Sequence, residues 1–377
     1  MDPIKLTKKL VSIKSYIDSN NNESNVGDFI YAYLKKVPYL SVKKQTIGSG
    51  RFNVVARTYG KPRLLLAGHM DTVEPKQDWR QNQFKVKTVG DTMSGLGVLD
   101  MKSSLAVMLS VLSVVSSAKG LVVLFYCDEE YDLQGMKKFI TSEKEVGRLA
   151  IIGEPTNLKI WNAHRGLIEI KLKVKGVTAH AANSKKGKNA IEITTQALIA
   201  LKKFISKYYN SSLGPSSLNI AHIRGGLNLG IDSVGKTILG KQGNNVADYA
   251  EAVIDIRPSS TSLNAKKVIK ELRRIITAMG CNVTFVIRHD YSALNTSKKT
   301  LRKIEQLVTK VTGKSEYLDP INRGYGDGQL IQKKFKIPTI YIGPSGEGEH
   351  AVDEYVSMKS IHALREIYEK IIALYCN

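Results

Sequence analysis

Cysteine is scarce in this chain. The three copies, Cys127, Cys281 and Cys376, lie far apart and are odd in number. They form neither a zinc–thiolate spacing nor a disulfide framework, which fits a reducing cytoplasm. Long apolar runs are lacking too. The most apolar helix-like stretch, Leu105 to Val115, is interrupted by Ser110 and Ser113 and is too short to cross a bilayer. Met1 to Lys9 is polar and leads into no sustained apolar core, so no signal peptide is expected. Internal repeats and low-complexity tracts are absent from the sequence. Negative charge is in short supply, with 34 acidic residues against 56 basic ones and a net charge of +22. Such an excess fits an acidic partner, anionic substrates or nucleic acid, and equally a lysine-rich proteome. The lysines are spread along the chain without interleaved aromatics, which argues against a stacking platform for nucleic acid.

What is present reads as a globular protein. Hydrophobic residues make up 42% and charged residues 24%, which excludes disorder. A length of 377 residues allows two or three domains.

One stretch stands out: Arg63-Leu64-Leu65-Leu66-Ala67-Gly68-His69-Met70-Asp71-Thr72. Its apolar run reads as a buried strand. The strand ends in His69 and Asp71, which face the same way in extended chain. Other apolar runs end similarly. Residues 121–127 lead into Asp128-Glu129-Glu130, residues 149–152 into Gly153-Glu154, and residues 338–342 into a loop reaching His350. Asp100 precedes an apolar helix expected at about 103–117. Turns favour Asn, Gly and Ser over Glu, so turn chemistry is a poor account of these endings. Parallel strands place their carboxyl ends on one edge, where ligands bind.

Between about residues 164 and 290 the pattern changes. Residues 169–175 alternate strictly, as in a half-wetted antiparallel strand. A helix at 188–208, strands at 217–224 and 245–257, a helix at 262–279 and a strand at 281–288 follow. That order, βαββαβ, is the ferredoxin-like pattern. The expected fold is α/β: a doubly wound, mostly parallel sheet domain from residues 1–165 and 290–377, with an inserted α+β domain at 166–289.

The ligand inventory is two histidines and several carboxylates without a thiolate, which suits zinc, cobalt or manganese. Sharing Asp100 as a bridge would hold two ions about 3.5–4 Å apart. Glu129 and Glu130 point opposite ways if extended, so one can bind metal while the other acts on water as a general base. The chemistry implied is amide hydrolysis.

Gly68-His69-Met70-Asp71-Thr72, Gly97-Val98-Leu99-Asp100-Met101-Lys102, Asp128-Glu129-Glu130, Gly153-Glu154-Pro155-Thr156 and His350 followed by Asp353-Glu354-Tyr355 together resemble the co-catalytic dinuclear zinc amidohydrolases and metallopeptidases. That family includes acetylornithine deacetylase, succinyl-diaminopimelate desuccinylase, aminoacylase and glutamate carboxypeptidase. The resemblance implies that His69, Asp100 and Glu154 hold one ion, and Asp100, Glu130 and His350 the other. Glu129 would be the general base, Asp71 would orient His69, and the Asp100–Met101 peptide would be cis. The inserted domain resembles a lid and dimerisation domain, which implies a homodimer. Its His180 matches an oxyanion-stabilising histidine, and Asn245 and Arg257 match substrate contacts. Ser103-Ser104, Asn245-Val246-Ala247-Asp248, Gly324-Tyr325-Gly326-Asp327 and a long 226–244 segment depart from the family pattern.

The resemblance implies a cytoplasmic deacylase of N-acyl amino acids. The alternatives are a dipeptidase or carboxypeptidase with the same centre, release of lysine or ornithine from an acidic amino-group carrier protein, and a non-enzymatic basic binding protein.

Overall fold

The structure is a computed structural model describing residues 1–79, 81–321 and 324–377. The chain divides into two compact units. One comprises Met1–Asn162, Asn295–Asp319 and Gly326–Asn377; the other comprises Ala163–Leu294 and Pro320–Tyr325.

The first unit is built on a six-stranded sheet. Its strands run Ser41–Gly48, Arg51–Arg57, Leu121–Tyr126, Leu64–His69, Leu149–Ile152 and Thr339–Tyr341 in spatial order. The last four are parallel and the first two antiparallel. Leu64 pairs with both Leu121 and Leu149, and His69 aligns with Tyr126. That register brings the strand endings to one edge.

The parallel strands are apolar throughout because both faces are covered. Leu64, Leu66, Val123, Phe125, Leu149 and Ile151 join one core with the helices Pro3–Val11, Ser103–Leu112 and Met358–Cys376. Leu65, Val122, Ala150 and Ile152 are equally buried but lie outside that core. The helix Gly328–Phe335 packs on the Leu149–Ile152 and Thr339–Tyr341 strands, and Gln134–Ser142 on Arg51–Arg57. Each fully buried leucine contributes about 1.5–3 kcal/mol.

All ten residues of the Ser103–Leu112 helix are buried. It stops five residues short of the expected end at 117. Ser113 closes it, its hydroxyl and N–H both directed at the Ser110 carbonyl.

The second unit is a four-stranded antiparallel sheet in the order Ser217–Gly226, Tyr249–Arg257, Leu167–Lys175 and Asn282–Tyr291. The sequence order βαββαβ with the first strand set between the third and fourth is the split βαβ sandwich. Ile168, Ile170, Leu172 and Val174 face the helices Ala190–Ile205 and Ala265–Ala278, in line with the alternation read from sequence. Lys173 and Lys175 are solvated.

Two differences from the expected pattern lie in this unit. The strand expected from residue 245 starts at Tyr249. Asp248 just before it turns its carboxylate to the Asn228 N–H instead. The 226–244 segment contains a hairpin, Asn228–Ile231 paired with Thr237–Leu239. Its turn is organised by the Asp232 carboxylate, which accepts from the Val234 and Lys236 N–H groups.

Candidate metal centre

The Leu64–His69 strand delivers His69 to the sheet edge with only 1% exposure. Gly68 makes this approach feasible, since a Cβ there would lie 2.6 Å from Leu105 Cδ2 and 2.8 Å from Met101 Cε. The His69 Nδ1 lies 3.0 Å from the Asp71 carbonyl oxygen, and 3.7 Å from the Asp71 carboxylate. A carbonyl only accepts, so Nδ1 carries a proton, and Nε2 is the nitrogen turned to the Asp100 carboxylate and available to a metal that displaces its proton. The Asp71 carboxylate instead accepts the Glu130 N–H at 2.9 Å, tying the first strand ending to the second.

Asp100 sits in the tight turn Val98–Lys102, entered through Gly97 at φ +71°. A Cβ on Gly97 would stand 2.4 Å from Thr72 Cγ2, so only glycine fits. The Asp100–Met101 peptide is cis, as expected. The Asp100 carboxylate presents one oxygen to each histidine: Oδ1 lies 3.0 Å from His69 Nε2, and Oδ2 lies 3.4 Å from His350 Nε2. Glu154 Oε1 stands 3.8 Å from His69 Nε2, and Glu130 Oε1 stands 2.9 Å from His350 Nε2. His350 is 52% exposed, in contrast to His69.

His69, Asp100 and Glu154 therefore form one group of donor atoms, and Asp100, Glu130 and His350 another, each within 4.8 Å. Ligands on a tetrahedral zinc at about 2.1 Å stand about 3.4 Å apart, close to the separations found here. The donors are imidazole nitrogen and carboxylate oxygen, a set suited to zinc, cobalt or manganese. Among the described residues, the buried Glu154 Oε1 accepts no hydrogen bond. On this geometry the residues fit a pair of divalent ions.

The electrostatics point the same way. Burial pushes Glu154 well above the ordinary carboxylate range, and Asp100 beside it adds to the rise. Burial does the same to Glu129; His69 opposes the rise, while Asp327, Glu130 and Asp71 add to it. Burial would also raise Asp100, but hydrogen bonds from His350 and His69 hold it below its usual range. Hydrogen bonds to Asp100 and Glu130 raise His350 to about 10. Carboxylates so crowded and so poorly hydrated call for cations among them.

Glu129 and Glu130 are not extended. They occupy a turn that begins at Asp128, whose φ is +70°. Alternation along a strand therefore does not separate their roles. In the turn, donor atoms of both come within 4.8 Å of one another and of a His69 nitrogen.

The remaining expected residues lie in the second unit. His180 caps the Ala181–Lys186 turn, accepting the Ala182 N–H at 3.2 Å, and forms an isolated bridge with Asn245. Arg257 grips Asp255 through two hydrogen bonds, at 2.8 and 3.0 Å.

Several functional candidates escaped the sequence reading. Asp327 is buried against Glu129 and Glu154. Lys102 is buried with its Nζ donating to the Ile13 carbonyl. A lysine inside so apolar a stretch was a usable signal. The Arg51 guanidinium joins Glu23 at 2.9 Å to Asp128 at 2.6 Å, and nothing local in the sequence marks that link.

A family model, Peptidase family M20/M25/M40, matches residues 65–374. Acetylornithine deacetylase of Buchnera aphidicola subsp. Schizaphis graminum is 28% identical over 395 residues, covering 99% of this chain and 98% of that protein. Acetylornithine deacetylase of Pasteurella multocida is 30% identical over 344 residues, covering 86% and 84%. A solved tripeptidase from Staphylococcus aureus superposes with a TM-score of 0.72 at 22% identity, covering 99% of this chain and 97% of that one.

Proposed function

The chain belongs to Peptidase family M20/M25/M40 and is an amide-hydrolysing enzyme, and on that premise we propose that it removes the acyl group from the nitrogen of an N-acyl amino acid. The observation that carries the reading is the Asp100 carboxylate, which turns one oxygen to each of two histidine–carboxylate groups. His69, Asp100 and Glu154 hold one divalent ion, and Asp100, Glu130 and His350 the other, with zinc favoured and cobalt or manganese suited to the same donors. When bound, such a pair supplies Lewis acidity, polarising the amide carbonyl and lowering the pKa of water toward neutrality.

The chain's own residues do the rest. Glu129 takes a proton from the attacking water and returns it to the leaving amine. Asp71 fixes His69 through its carbonyl and the Glu130 backbone through its carboxylate. His180 donates to the developing oxyanion. Asn245 and Arg257 contact substrate; Arg257, already paired with Asp255, needs an incoming carboxylate to compete for its guanidinium.

The acetylornithine deacetylase relatives favour an N-acetylated basic amino acid as substrate. The reading includes a cytoplasmic location, with which three free, buried cysteines are consistent. It also includes a homodimer through the second unit, whose edge strand Ser217–Gly226 exposes Ile220 and Ile223. Delivery of substrate on an acidic carrier protein is a variant that the +22 charge would suit.

The test is a hydrolysis panel of N-acetylornithine, N-succinyl-diaminopimelate and dipeptides, run before and after chelation. The expected result is metal-dependent release from an N-acyl amino acid. Release from dipeptides alone would replace the deacylase with a peptidase.

A further inference from the structure

The loop that supplies His350 has a second anchor four residues on. Glu354 is 1% exposed and belongs to none of the candidate donor groups; its carboxylate bonds the backbone of the turn that carries Asp100. Its Oε2 accepts the Gly97 N–H at 2.7 Å, and its Oε1 accepts the N–H groups of Leu99 at 2.7 Å and Asp100 at 3.0 Å. Its own carbonyl accepts the Gly95 N–H at 3.2 Å. Three of the four backbone donors from 97 to 100 thus end on one side chain. Gly348, at φ +83°, is what lets the loop fold back on itself, since a Cβ there would stand 3.1 Å from the Glu354 Cα.

A carboxylate accepting several N–H groups makes charge-assisted bonds stronger than neutral ones. Buried donors left without a partner cost their full desolvation. The Glu354 side chain therefore ties the turn of Asp100 to the loop of His350, beside the pairing of Tyr355–Ser357 with Thr92–Ser94.

Resting on the two-ion reading above, we propose that Glu354 is a positioning residue that locks the Asp100 turn to the His350 loop and thereby sets the affinity of the ion held by Asp100, Glu130 and His350. Glu354 touches neither substrate nor metal and acts only through those ligands. The other ion shares Asp100 but keeps His69, at the end of the Leu64–His69 strand, and Glu154, just past the Leu149–Ile152 strand, and so loses less.

The test is zinc titration of chelated, full-length protein by calorimetry, for wild type, Glu354→Gln, Glu354→Asp and His350→Ala, with circular-dichroism melts alongside. Gln keeps the shape but turns an amide against one of the donors. Asp keeps the charge but falls one methylene short, so it serves if Gln fails to fold. The expected result is two ions in wild type, with one weakened about 10–100-fold in the Glu354 variants and the other, which shares only Asp100 with it, weakened less. Isotherms identical to wild type overturn the proposal. Equal weakening of both ions with a collapsed melt also overturns it, in favour of a general structural role. A wild type that takes one ion removes the two-ion reading instead. The positioning role then stands only if both Glu354→Gln and His350→Ala weaken that ion.

Discussion

The Arg51 guanidinium lies 2.6 Å from the Asp128 carboxylate, one residue before Glu129. Arg51 is 13% exposed and Asp128 3%. The other Asp128 oxygen accepts the Asp132 and Gln134 N–H groups, so the pair shapes the turn on which Glu129 stands. Arg51→Met strands two buried carboxylates, Asp128 and Glu23. We expect a stability loss of about 3–5 kcal/mol in urea unfolding, and a lower kcat in whatever fraction remains folded. An unchanged unfolding midpoint would dismiss the link.

Glu129→Gln removes the proposed base without removing a proposed metal ligand. Turnover of the best N-acyl substrate should fall about 10²–10⁴-fold. Metal content by mass spectrometry should stay at the wild-type value. Near-normal kcat would reassign the base.

Glu251 predicts a pH dependence in the second unit. Burial would raise its pKa, but the Arg224 guanidinium, the Tyr249 hydroxyl and Lys171 together hold it at about 2, against an ordinary 4.5. A depressed carboxylate stabilises the fold fully above its unfolded pKa, and the contribution disappears as pH falls through the folded value. The shift corresponds to a contribution on the order of 3 kcal/mol before solvent screening, which lowers it. Wild type should therefore exceed Glu251→Gln in melting temperature at pH 7, and the two curves should converge toward pH 2. A gap that persists at pH 2 would point to packing rather than charge.

The hairpin of the second unit leaves Leu229 59%, Ile231 71% and Val234 84% exposed. The proposed homodimer would cover such apolar side chains. If it covers these, Ile231→Asp should shift the protein from dimer to monomer in light scattering, with the circular-dichroism spectrum unchanged. A wild type already monomeric at micromolar concentration would rule the dimer out.

Much of the sheet could be read in advance because burial on both faces leaves a plain signature. Leu64–Ala67, Leu121–Tyr126 and Leu149–Ile152 have no polar residue to disguise them. The second unit was as legible for the opposite reason, since Ile168 to Lys175 alternates cleanly between core and water. The donor atoms of the candidate centre were legible because Glu and His are unusual at strand ends.

What escaped shares one cause: it depends on chain segments meeting in space. The strands Lys87–Val89 and Thr92–Ser94 are three residues each and exist through their pairing. The 228–239 hairpin is as short, and its apolar residues face solvent, so no core imposes a pattern on it. Arg51 finds Glu23 and Asp128 across 28 and 77 residues. The turn at Asp128 overrode the extended geometry expected for Glu129 and Glu130. Glu354 stood in a motif that was recognised, but its three amide partners belong to another loop.

The split of the first unit along the chain bears on how the protein is made. His69, Asp100, Glu130 and Glu154 all precede the inserted Ala163–Leu294 unit, and His350 follows it. Domains fold as units while synthesis proceeds. A nascent chain therefore displays four of the five candidate donors, and can fold the Ala163–Leu294 part of its second unit, before the last candidate has emerged. Biogenesis thus has a built-in order: the His350 side of the centre is assembled last, when the Thr339–Tyr341 strand joins the sheet.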